Sequence, residues 1–157
     1  FISGLLCRNL NISLKENTLD NDIFALLIGL VSSFICNEIL KDIIAQKRPE
    51  GSLKTNHGMP SSHALFMTFA LTFIILIIQR RCDPIFNKLS IPIIFVWICC
   101  SIGVGIARIY FSYHTVAQVL VGAVLGVVEA LLWRRVLDAI TRRLANAHKD
   151  KRHRPKP

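Results

Sequence analysis

Three short polar clusters interrupt an otherwise apolar chain of 157 residues, and they carry the side chains that could do chemistry. The first cluster is residues 41–49 (KDIIAQKRP), the second is residues 60–63 (PSSH) and the third is residues 108–118 (RIYFSYHTVAQ). Together they supply two histidines and a set of fixed cations. Such groups can attack a phosphorus atom and hold the phosphoryl oxygens while charge develops on them, so the clusters indicate phosphate chemistry.

The first cluster places Lys41 and Arg48 seven residues apart, which is about two turns of a helix. If one helix continues through the cluster, both side chains project from the same face toward one anion. Pro49 is then expected to end the helix, because proline lacks an amide donor and disfavours helical geometry in the residue before it. A basic patch beside a membrane span is the alternative interpretation.

The second cluster puts Pro60, Ser61, Ser62 and His63 at the start of an apolar segment. The first turn of a helix has unpaired backbone amides and the positive end of the helix dipole, and both attract phosphate. An ordinary N-cap, with serine capping and proline beginning the helix, is the alternative interpretation. His63 is the residue that the capping interpretation does not require.

The third cluster places Arg108 at the end of one apolar segment and His114 at the start of the next. The chain must bend between them if both are to contact one ligand. Gln118 follows His114 by four residues, so it can accept a hydrogen bond from the imidazole and fix the tautomer that leaves the other nitrogen nucleophilic. The aromatic residues between them are typical of a membrane interface; they are Tyr110, Phe111 and Tyr113.

The elements that must position these clusters are apolar helices long enough to cross a bilayer. Hydrophobic residues make up 52% of the chain, and a crossing helix needs roughly 20 mostly apolar residues. The stretches that qualify are approximately 23–44, 61–78, 91–109 and 116–133. We expect an all-α, multi-pass integral membrane helical bundle with at least four transmembrane helices. A soluble four-helix bundle is the weaker alternative, because two of these stretches contain long uncharged runs.

The domain organisation expected from this pattern is a membrane-embedded core at residues 23–134 with a segment on either side. Residues 1–22 read as the end of a helix whose start is missing, and residues 135–157 form a basic tail. Basic residues concentrate in this tail and give most of the net charge of +9. The positive-inside rule predicts that the tail is cytoplasmic and that the three clusters share the lumenal or outer face. The tail is expected to contact anionic lipid headgroups or to be simply solvated, rather than to bind nucleic acid.

No cofactor, metal ion or disulfide framework is expected. The five cysteines show no CxxC spacing and two of them, Cys99 and Cys100, lie inside a predicted span. His57 could join His63 and His114 as metal ligands, but no carboxylate or cysteine cluster accompanies them. Two further features of the last predicted span, a glutamate and a pair of glycines, each have a functional and a structural interpretation. Glu129 could serve a proton path or lie near the cytoplasmic interface, and Gly122 with Gly126 could promote helix packing or dimerisation.

The ordered set of clusters resembles the three-part signature of the type 2 phosphatidate phosphatase superfamily, whose members are integral membrane lipid phosphatases. The signature is Lys, six residues, Arg-Pro; then Pro-Ser-Ser-His; then Arg, five residues, His. GMPSSH (58–63) and YHTVAQV (113–119) look most like the dolichyl-diphosphatase branch. Three positions depart from the usual superfamily pattern, with Ser62 in place of Gly, Ala107 in place of Ser and Gln118 in place of Asp.

The resemblance implies that His114 attacks the terminal phosphorus and becomes phosphorylated, while His63 protonates the leaving group and later activates water. It also implies which groups hold the phosphoryl oxygens without a metal, namely Lys41, Arg48, Ser61, Arg108 and the amide of Ser62. The implied activity is hydrolysis of dolichyl diphosphate to dolichyl phosphate at the lumenal face of the endoplasmic reticulum membrane, which recycles the lipid carrier for protein N-glycosylation. No obligate protein partner is predicted.

Gln118 is the departure with chemical content, because a neutral amide stabilises an imidazolium less than a carboxylate does. His114 should then be a weaker nucleophile, and a more acidic leaving group would compensate. A lipid diphosphate releases such a group, so we hypothesise that Gln118 accompanies diphosphate substrates. The alternatives are a broad lipid phosphate phosphatase that acts on phosphatidate-type monoesters, and a non-catalytic membrane scaffold or lipid-binding protein that would need neither histidine.

Overall fold

The computed structural model describes the backbone of residues 2–52, 55–80 and 84–153, and the side chains within these ranges except 2–20, 84–87, 89, 144, 145 and 147–153. The chain forms four helices: α1 (Ile2–Ile44), α2 (Ser62–Arg80), α3 (Pro84–Tyr110) and α4 (Val116–His153). Each contains a stretch long and apolar enough to cross a membrane. The predicted all-α, multi-pass membrane bundle is therefore confirmed.

Three of the four candidate membrane spans begin and end within two residues of the stretches expected from hydropathy, and the fourth ends ten residues later than expected. They run Asn21–Ile44, Ser62–Arg80, Ser90–Tyr110 and Val116–Arg143. The backbone of α1 passes without a break through the boundary expected at residue 22, and that of α4 continues from the core into the basic tail. The last four residues of the tail, 154–157, lie outside the described residues.

The first helix ends five residues before Pro49, so the prediction that proline ends it is wrong. Ala45 adopts a left-handed conformation (φ 50°) directly after Ile44, and its amide donates a 2.8 Å hydrogen bond to the Lys41 carbonyl oxygen. This arrangement terminates a helix by satisfying one of its last carbonyl groups. Arg48 consequently lies on a loop, and it does not share a helix face with Lys41.

The core of the bundle lies between α2 and α4, with α1 packed against both. Its fully enclosed side chains are Phe69, Phe73, Ile77 and Ala130. The two phenylalanine rings are parallel with centroids 6.1 Å apart. Indole groups add polar ties between helices: Trp133 Nε1 donates to the Ala25 carbonyl oxygen at 2.8 Å and Trp97 Nε1 to that of Met67 at 3.1 Å.

Glycines allow the backbones of α2 and α4 to approach closely. A Cβ atom on Gly122 would lie 2.5 Å from the Ser61 carbonyl oxygen, and one on Gly126 would overlap Thr68 Oγ1 and the Leu65 carbonyl oxygen. Thr68 uses this proximity to donate a 2.9 Å hydrogen bond to the Ala123 carbonyl oxygen on α4. The small-residue pair of α4 therefore packs within the chain, as small residues commonly do between membrane helices.

Polar side chains inside the bundle pair with one another across helices. Ser33 on α1 donates a hydrogen bond to Glu129 on α4, so Glu129 faces a neighbouring helix. At the opposite end from the three clusters, Arg134 lies 3.8 Å from Asp22 and 3.3 Å from Asp138. Such pairs place opposite charges next to each other where single charges would be costly to expose to lipid.

The zigzag of the helices brings all three polar clusters to one end of the bundle. α2 contacts every other helix, whereas α1 and α3 make no contact with each other among the described residues. Large apolar side chains cover the outer surface, including Phe24 on α1 and Phe95 on α3, which are 65% and 66% exposed. The polar end is therefore set between helices that present apolar faces to the surrounding lipid.

Replacing Gly126 by alanine should destabilise the bundle, because the added methyl group must push α2 and α4 apart. We expect a loss of roughly 1–3 kcal/mol, typical of overpacking, measured as a lower unfolding temperature of the full-length protein in detergent. Gly103→Ala is the matched control, since a Cβ atom there meets nothing within 4 Å. It should be neutral or slightly stabilising, because alanine is the better helix former. Equal effects of the two changes would contradict close α2–α4 packing.

Candidate active site

A cavity of about 270 Å³ lies at the polar end of the bundle and is lined by residues from all three clusters. Of the residues singled out in the sequence, its wall contains Lys41, Arg48, Ser62, His63, Arg108 and His114; the other lining residues are Phe34, Glu38, Asn56 and Tyr113. Ser61 and Gln118 lie behind the wall and are fully enclosed. The fold thus gathers both histidines and three cations around one space.

The Nδ1 side of the His114 ring faces two hydrogen-bond acceptors. Nδ1 lies 2.8 Å from the carbonyl oxygen of Gly58 and 3.3 Å from Oε1 of Gln118. The ring itself is 4% exposed. A carbonyl oxygen can only accept, so the Gly58 contact requires a proton on Nδ1.

The orientation of the Gln118 amide is fixed by two backbone groups that each have a single hydrogen-bonding role. The amide N–H of Thr115 donates to Oε1 at 3.1 Å, and the carbonyl oxygen of Lys47 accepts from Nε2 at 3.0 Å. Oε1 therefore faces His114, and both neighbours of Nδ1 are acceptors. The neutral ring must carry its proton on Nδ1, which leaves a lone pair on Nε2.

The Nε2 side of His114 faces Arg48. The guanidinium Nη1 lies 3.1 Å from Nε2 and donates a 2.7 Å hydrogen bond to the Tyr113 carbonyl oxygen. Arg48 Nε is held by Asn56, at 3.1 Å from its carbonyl oxygen and 3.0 Å from its Oδ1. Because a guanidinium only donates, its position agrees with a lone pair on Nε2. The arrangement places a fixed cation next to a nucleophilic nitrogen.

Burial and the adjacent cation keep His114 neutral. Burial is the main cause that lowers the pKa of His114, and the Arg48 guanidinium lowers this pKa further. The hydrogen bonds to Gln118 and Gly58 raise it in part, and the pKa is about 4 instead of 6.5. Burial also lowers the pKa of Arg48, with a contribution from Arg108. At neutral pH the site combines an uncharged imidazole with charged guanidinium groups.

Lys41 points into the cavity from the last turns of α1 and is paired with Glu38. Lys41 Nζ lies 2.5 Å from Glu38 Oε1, and the side chains are 8% and 45% exposed. The sequence interpretation assigned no role to Glu38, although its spacing of three residues from Lys41 is typical of helical ion pairs. The cavity wall therefore carries three cations and one carboxylate.

The start of α2 contributes Ser62 and His63 to the cavity but encloses Ser61. Ser62 Oγ accepts a 2.9 Å hydrogen bond from Asn37 on α1. The amide of Ser61 is engaged by the Gln118 carbonyl oxygen at 3.1 Å, and its hydroxyl is buried without a hydrogen-bond partner. Among the residues expected to hold phosphate, Ser61 is the one that the structure does not bring to the cavity surface.

The turn between α3 and α4 bends the chain as the third cluster requires. Ser112 adopts a left-handed conformation (φ 54°), and the amides of Tyr113 and His114 both donate to the Arg108 carbonyl oxygen, at 3.0 and 3.1 Å. The Tyr113 ring lies over the Arg108 guanidinium with 5.5 Å to the ring centroid. Tyr113 is thus part of the cavity wall, whereas Tyr110 and Phe111 are largely exposed, as expected of an interfacial belt.

Some features of the site were missed in the sequence, and one of them had a readable signal. Thr115 and Gln118 form a capping box, because the Gln118 amide donates to Thr115 Oγ1 at 3.2 Å while the Gln118 side chain accepts from the Thr115 amide. The motif Thr-x-x-Gln before an apolar run predicts this arrangement. No local pattern predicts the Gly58 carbonyl contact. Among the described residues, no three His, Cys, Asp or Glu side chains lie close enough to hold a metal ion.

His114 should titrate near pH 4 and remain neutral at pH 5.5, where an ordinary histidine is mostly protonated. The measurement is a ¹⁵N-histidine NMR titration of the full-length protein, with His114→Asn to assign the signal. Arg48→Gln should raise the midpoint, because it removes a nearby positive charge. Lys47→Gln, which removes a charge from the exposed part of the same loop, should leave it unchanged. A wild-type midpoint near 6.5 would contradict this electrostatic description.

Comparisons with known proteins show to which family this chain is similar. Residues 22–142 match the family model of the PAP2 superfamily. The chain is 32% identical over 124 residues to Dolichyldiphosphatase 1 of Dictyostelium discoideum, covering 75% of this chain and 53% of that protein. It is 35% identical over 117 residues to lipid phosphate phosphatase gamma of Arabidopsis thaliana, covering 71% of this chain and 51% of that protein.

A solved structure shows the same fold. It is the first transmembrane PAP2 type phosphatidylglycerolphosphate phosphatase from Bacillus subtilis, with a TM-score of 0.61 at 22% identity over 73% of this chain and 58% of that one. The chain spans about half the length of the curated relatives cited above. Since the family model covers most of its length, the chain belongs to the PAP2 superfamily.

Proposed function

We propose that this protein hydrolyses the terminal phosphate of a polyprenyl diphosphate, dolichyl diphosphate in the first instance, through a phosphohistidine on His114 and without a metal ion. The observation that carries the proposal is the fixed tautomer of His114. Its Nδ1 proton faces the Gly58 carbonyl oxygen, and its Nε2 lone pair faces Arg48 Nη1 at the wall of the cation-lined cavity. An enzyme that uses histidine as a nucleophile needs this arrangement before substrate arrives.

In the first step, Arg48 turns its N–H from Nε2 of His114 to a phosphoryl oxygen, and the freed Nε2 lone pair forms a bond to the terminal phosphorus. The bond between that phosphorus and the bridging oxygen breaks, and its electron pair leaves with the lipid monophosphate. His63, which lines the same cavity, supplies a proton to the departing oxygen. The Nδ1 proton stays on the ring, where the neutral oxygens of Gly58 and Gln118 stabilise the imidazolium charge.

In the second step, His63 accepts a proton from water, whose oxygen attacks the phosphorus. The N–P bond breaks, its electron pair returns to Nε2, and inorganic phosphate is released. Throughout, the phosphoryl oxygens are held by Lys41, Arg48, Arg108 and Ser62. Fixed cations of this kind stabilise charge in the transition state, which is the main requirement of phosphoryl transfer.

The preference for a diphosphate is supported by the leaving group and by the relatives. A lipid monophosphate is a more acidic leaving group than the alcohol released from phosphatidate, so it suits a nucleophile with a low pKa. Similarity to proteins named Dolichyldiphosphatase 1 points the same way. The second candidate is a broad lipid phosphate phosphatase, which is favoured by the 35% identity to lipid phosphate phosphatase gamma.

We place the reaction at the lumenal face of the endoplasmic reticulum membrane, with the basic tail in the cytoplasm. The basis is the excess of basic residues at the end of the bundle opposite the cavity. Hydrolysis of dolichyl diphosphate on this face would return the lipid carrier to protein N-glycosylation.

Phosphate release from dolichyl diphosphate and from phosphatidate, measured side by side with EDTA present, tests the proposal. We expect the wild-type full-length protein to release phosphate mainly from the diphosphate and His114→Ala to release none. Equal release from both lipids would favour the broad phosphatase. Absence of release from a folded wild-type protein would leave the non-catalytic scaffold, and loss of activity in EDTA would contradict the role given to the fixed cations.

His63→Ala should accumulate a phosphoenzyme when it is given the diphosphate. The acidic leaving group departs with little help, whereas attack by water loses its general base, which typically slows a step by about 10²- to 10⁴-fold. The measurement is the amount of acid-labile, base-stable phosphate bound to the protein, together with one burst equivalent of lipid monophosphate. His114→Ala is the control and should show neither. An intermediate that survives acid would contradict an N–P bond.

A further inference from the structure

Gln46 lies on the loop after α1, inside the first cluster but at a position to which the signature assigns no residue type, and it is outside the cavity wall. Its side chain is exposed to solvent, and Oε1 accepts a 3.1 Å hydrogen bond from Gln118 Nε2. Its backbone carbonyl oxygen accepts a 2.8 Å hydrogen bond from the amide of Gly58. Gln118 and Gly58 are the two residues that face Nδ1 of His114. One residue therefore contacts both acceptors of the His114 proton.

Gly58 is closely enclosed where these groups meet. A Cβ atom on Gly58 would lie 2.8 Å from either polar atom of the Gln118 amide and 2.9 Å from Cγ of Arg48. The Gly58 carbonyl oxygen can approach His114 only because this side chain is missing. Three parts of the chain therefore meet behind His114: the loop that carries Arg48, Gly58, and the start of α4 with Gln118. We call this meeting point the junction.

We propose that Gln46 is a positioning residue for His114: its side chain and backbone hold Gln118 and Gly58 in place, which keeps the proton on Nδ1 and the lone pair on Nε2. The expected effect of Gln46 on catalysis rests on the function proposed above. Its effect on the position and protonation of His114 does not. Because Gln46 follows Lys41 and precedes Arg48, the same loop sets the imidazole tautomer and positions one of the phosphate-binding cations.

The Gln46 position offers a sharper test of the junction than Gln118 itself. Gln118 Nε2 donates to two acceptors, Gln46 Oε1 and the Lys47 carbonyl oxygen. An aspartate or glutamate at position 118 would remove both donors and bring a carboxylate against those oxygens. Gln46→Glu, in contrast, keeps an acceptor opposite Gln118 Nε2 and adds a negative charge one residue away from the imidazole.

The charged groups around His114 determine the sign of the expected shift. Arg48 from the loop and Arg108 from α3 both disfavour the imidazolium; the same cavity is lined by Lys41 and Glu38 from α1 and by His63 from α2. A new carboxylate behind Gln118 opposes the field of the cations and favours the imidazolium. The pKa of His114 should therefore rise in Gln46→Glu.

The experiment uses ¹⁵N-histidine NMR of the full-length protein in detergent, combined with lipid diphosphate hydrolysis. The wild-type ring should show the Nδ1–H tautomer. Gln46→Glu should keep that tautomer and raise the titration midpoint from about 4 by roughly one unit. Gln46→Met, which removes the acceptor at similar size, should loosen the Gln118 amide and lower kcat with little change in KM. The Nδ1–H tautomer should remain, because Gly58, Thr115 and Lys47 still fix it.

Gln79→Glu is the matched control, because it makes the same change at an exposed position on the opposite end of α2. It should alter neither tautomer nor midpoint. A wild-type midpoint in Gln46→Glu and a wild-type kcat in Gln46→Met, with at most a lower unfolding temperature, would overturn the inference. If the NMR effects appear in a protein that hydrolyses no lipid diphosphate, the positioning role stands and the proposed function fails.

Discussion

The hydrogen bond between His114 Nδ1 and the Gly58 carbonyl oxygen, 2.8 Å long, is the contact on which the geometry of the site depends. It needs a glycine, because any Cβ atom there would strike the Gln118 amide. It also needs the loop after α1 to turn back at Ala45 and the amide of Gly58 to reach Gln46. Gly58, in the segment that leads to α2, thereby connects the loop after α1 with His114 just before α4. The orientation of the imidazole depends on all three parts of the chain.

The tight approach of α2 and α4 gives this junction its rigid base. Gly122 lets the Ser61 backbone rest directly on α4, and the Ser61 amide donates to the Gln118 carbonyl oxygen in return. The second and third clusters are therefore fixed relative to each other by main-chain contacts rather than by flexible side chains. Electrostatic stabilisation by groups held in place in this way costs little reorganisation when charge develops.

Sequence patterns predicted the membrane spans, and they predicted the histidines and cations of the cavity wall, because both follow from strong local signals. Long uncharged runs define membrane spans, and the alternation of sides then brings all three clusters to one end. The error at Pro49 has a physical cause. Local rules place a helix end near a proline, but contacts of Gln46 and Lys47 with Gly58 and Gln118, distant in sequence, favour an earlier end at Ile44.

The features that the sequence did not reveal depend on tertiary contacts. The enclosure of Ser61 follows from the missing side chain of Gly122, 61 positions further along the chain. The acceptor role of Gly58 belongs to its backbone, which every residue shares, so no residue type marks it. Gln118 was expected to contact the imidazole. Its additional hydrogen bonds to Gln46 and Lys47 could not be predicted, because the sequence does not show where the loop after α1 lies.

In the proposed reaction, the ion pair between Lys41 and Glu38 bears on both the binding of the headgroup and the release of phosphate. Any anion that reaches Lys41 competes with a carboxylate attached to the same helix one turn away. That internal competitor weakens the hold on an incoming headgroup and on departing inorganic phosphate alike, since it acts on ground-state binding of both. Glu38 would then limit product inhibition, trading tight capture of the headgroup for a site that empties readily.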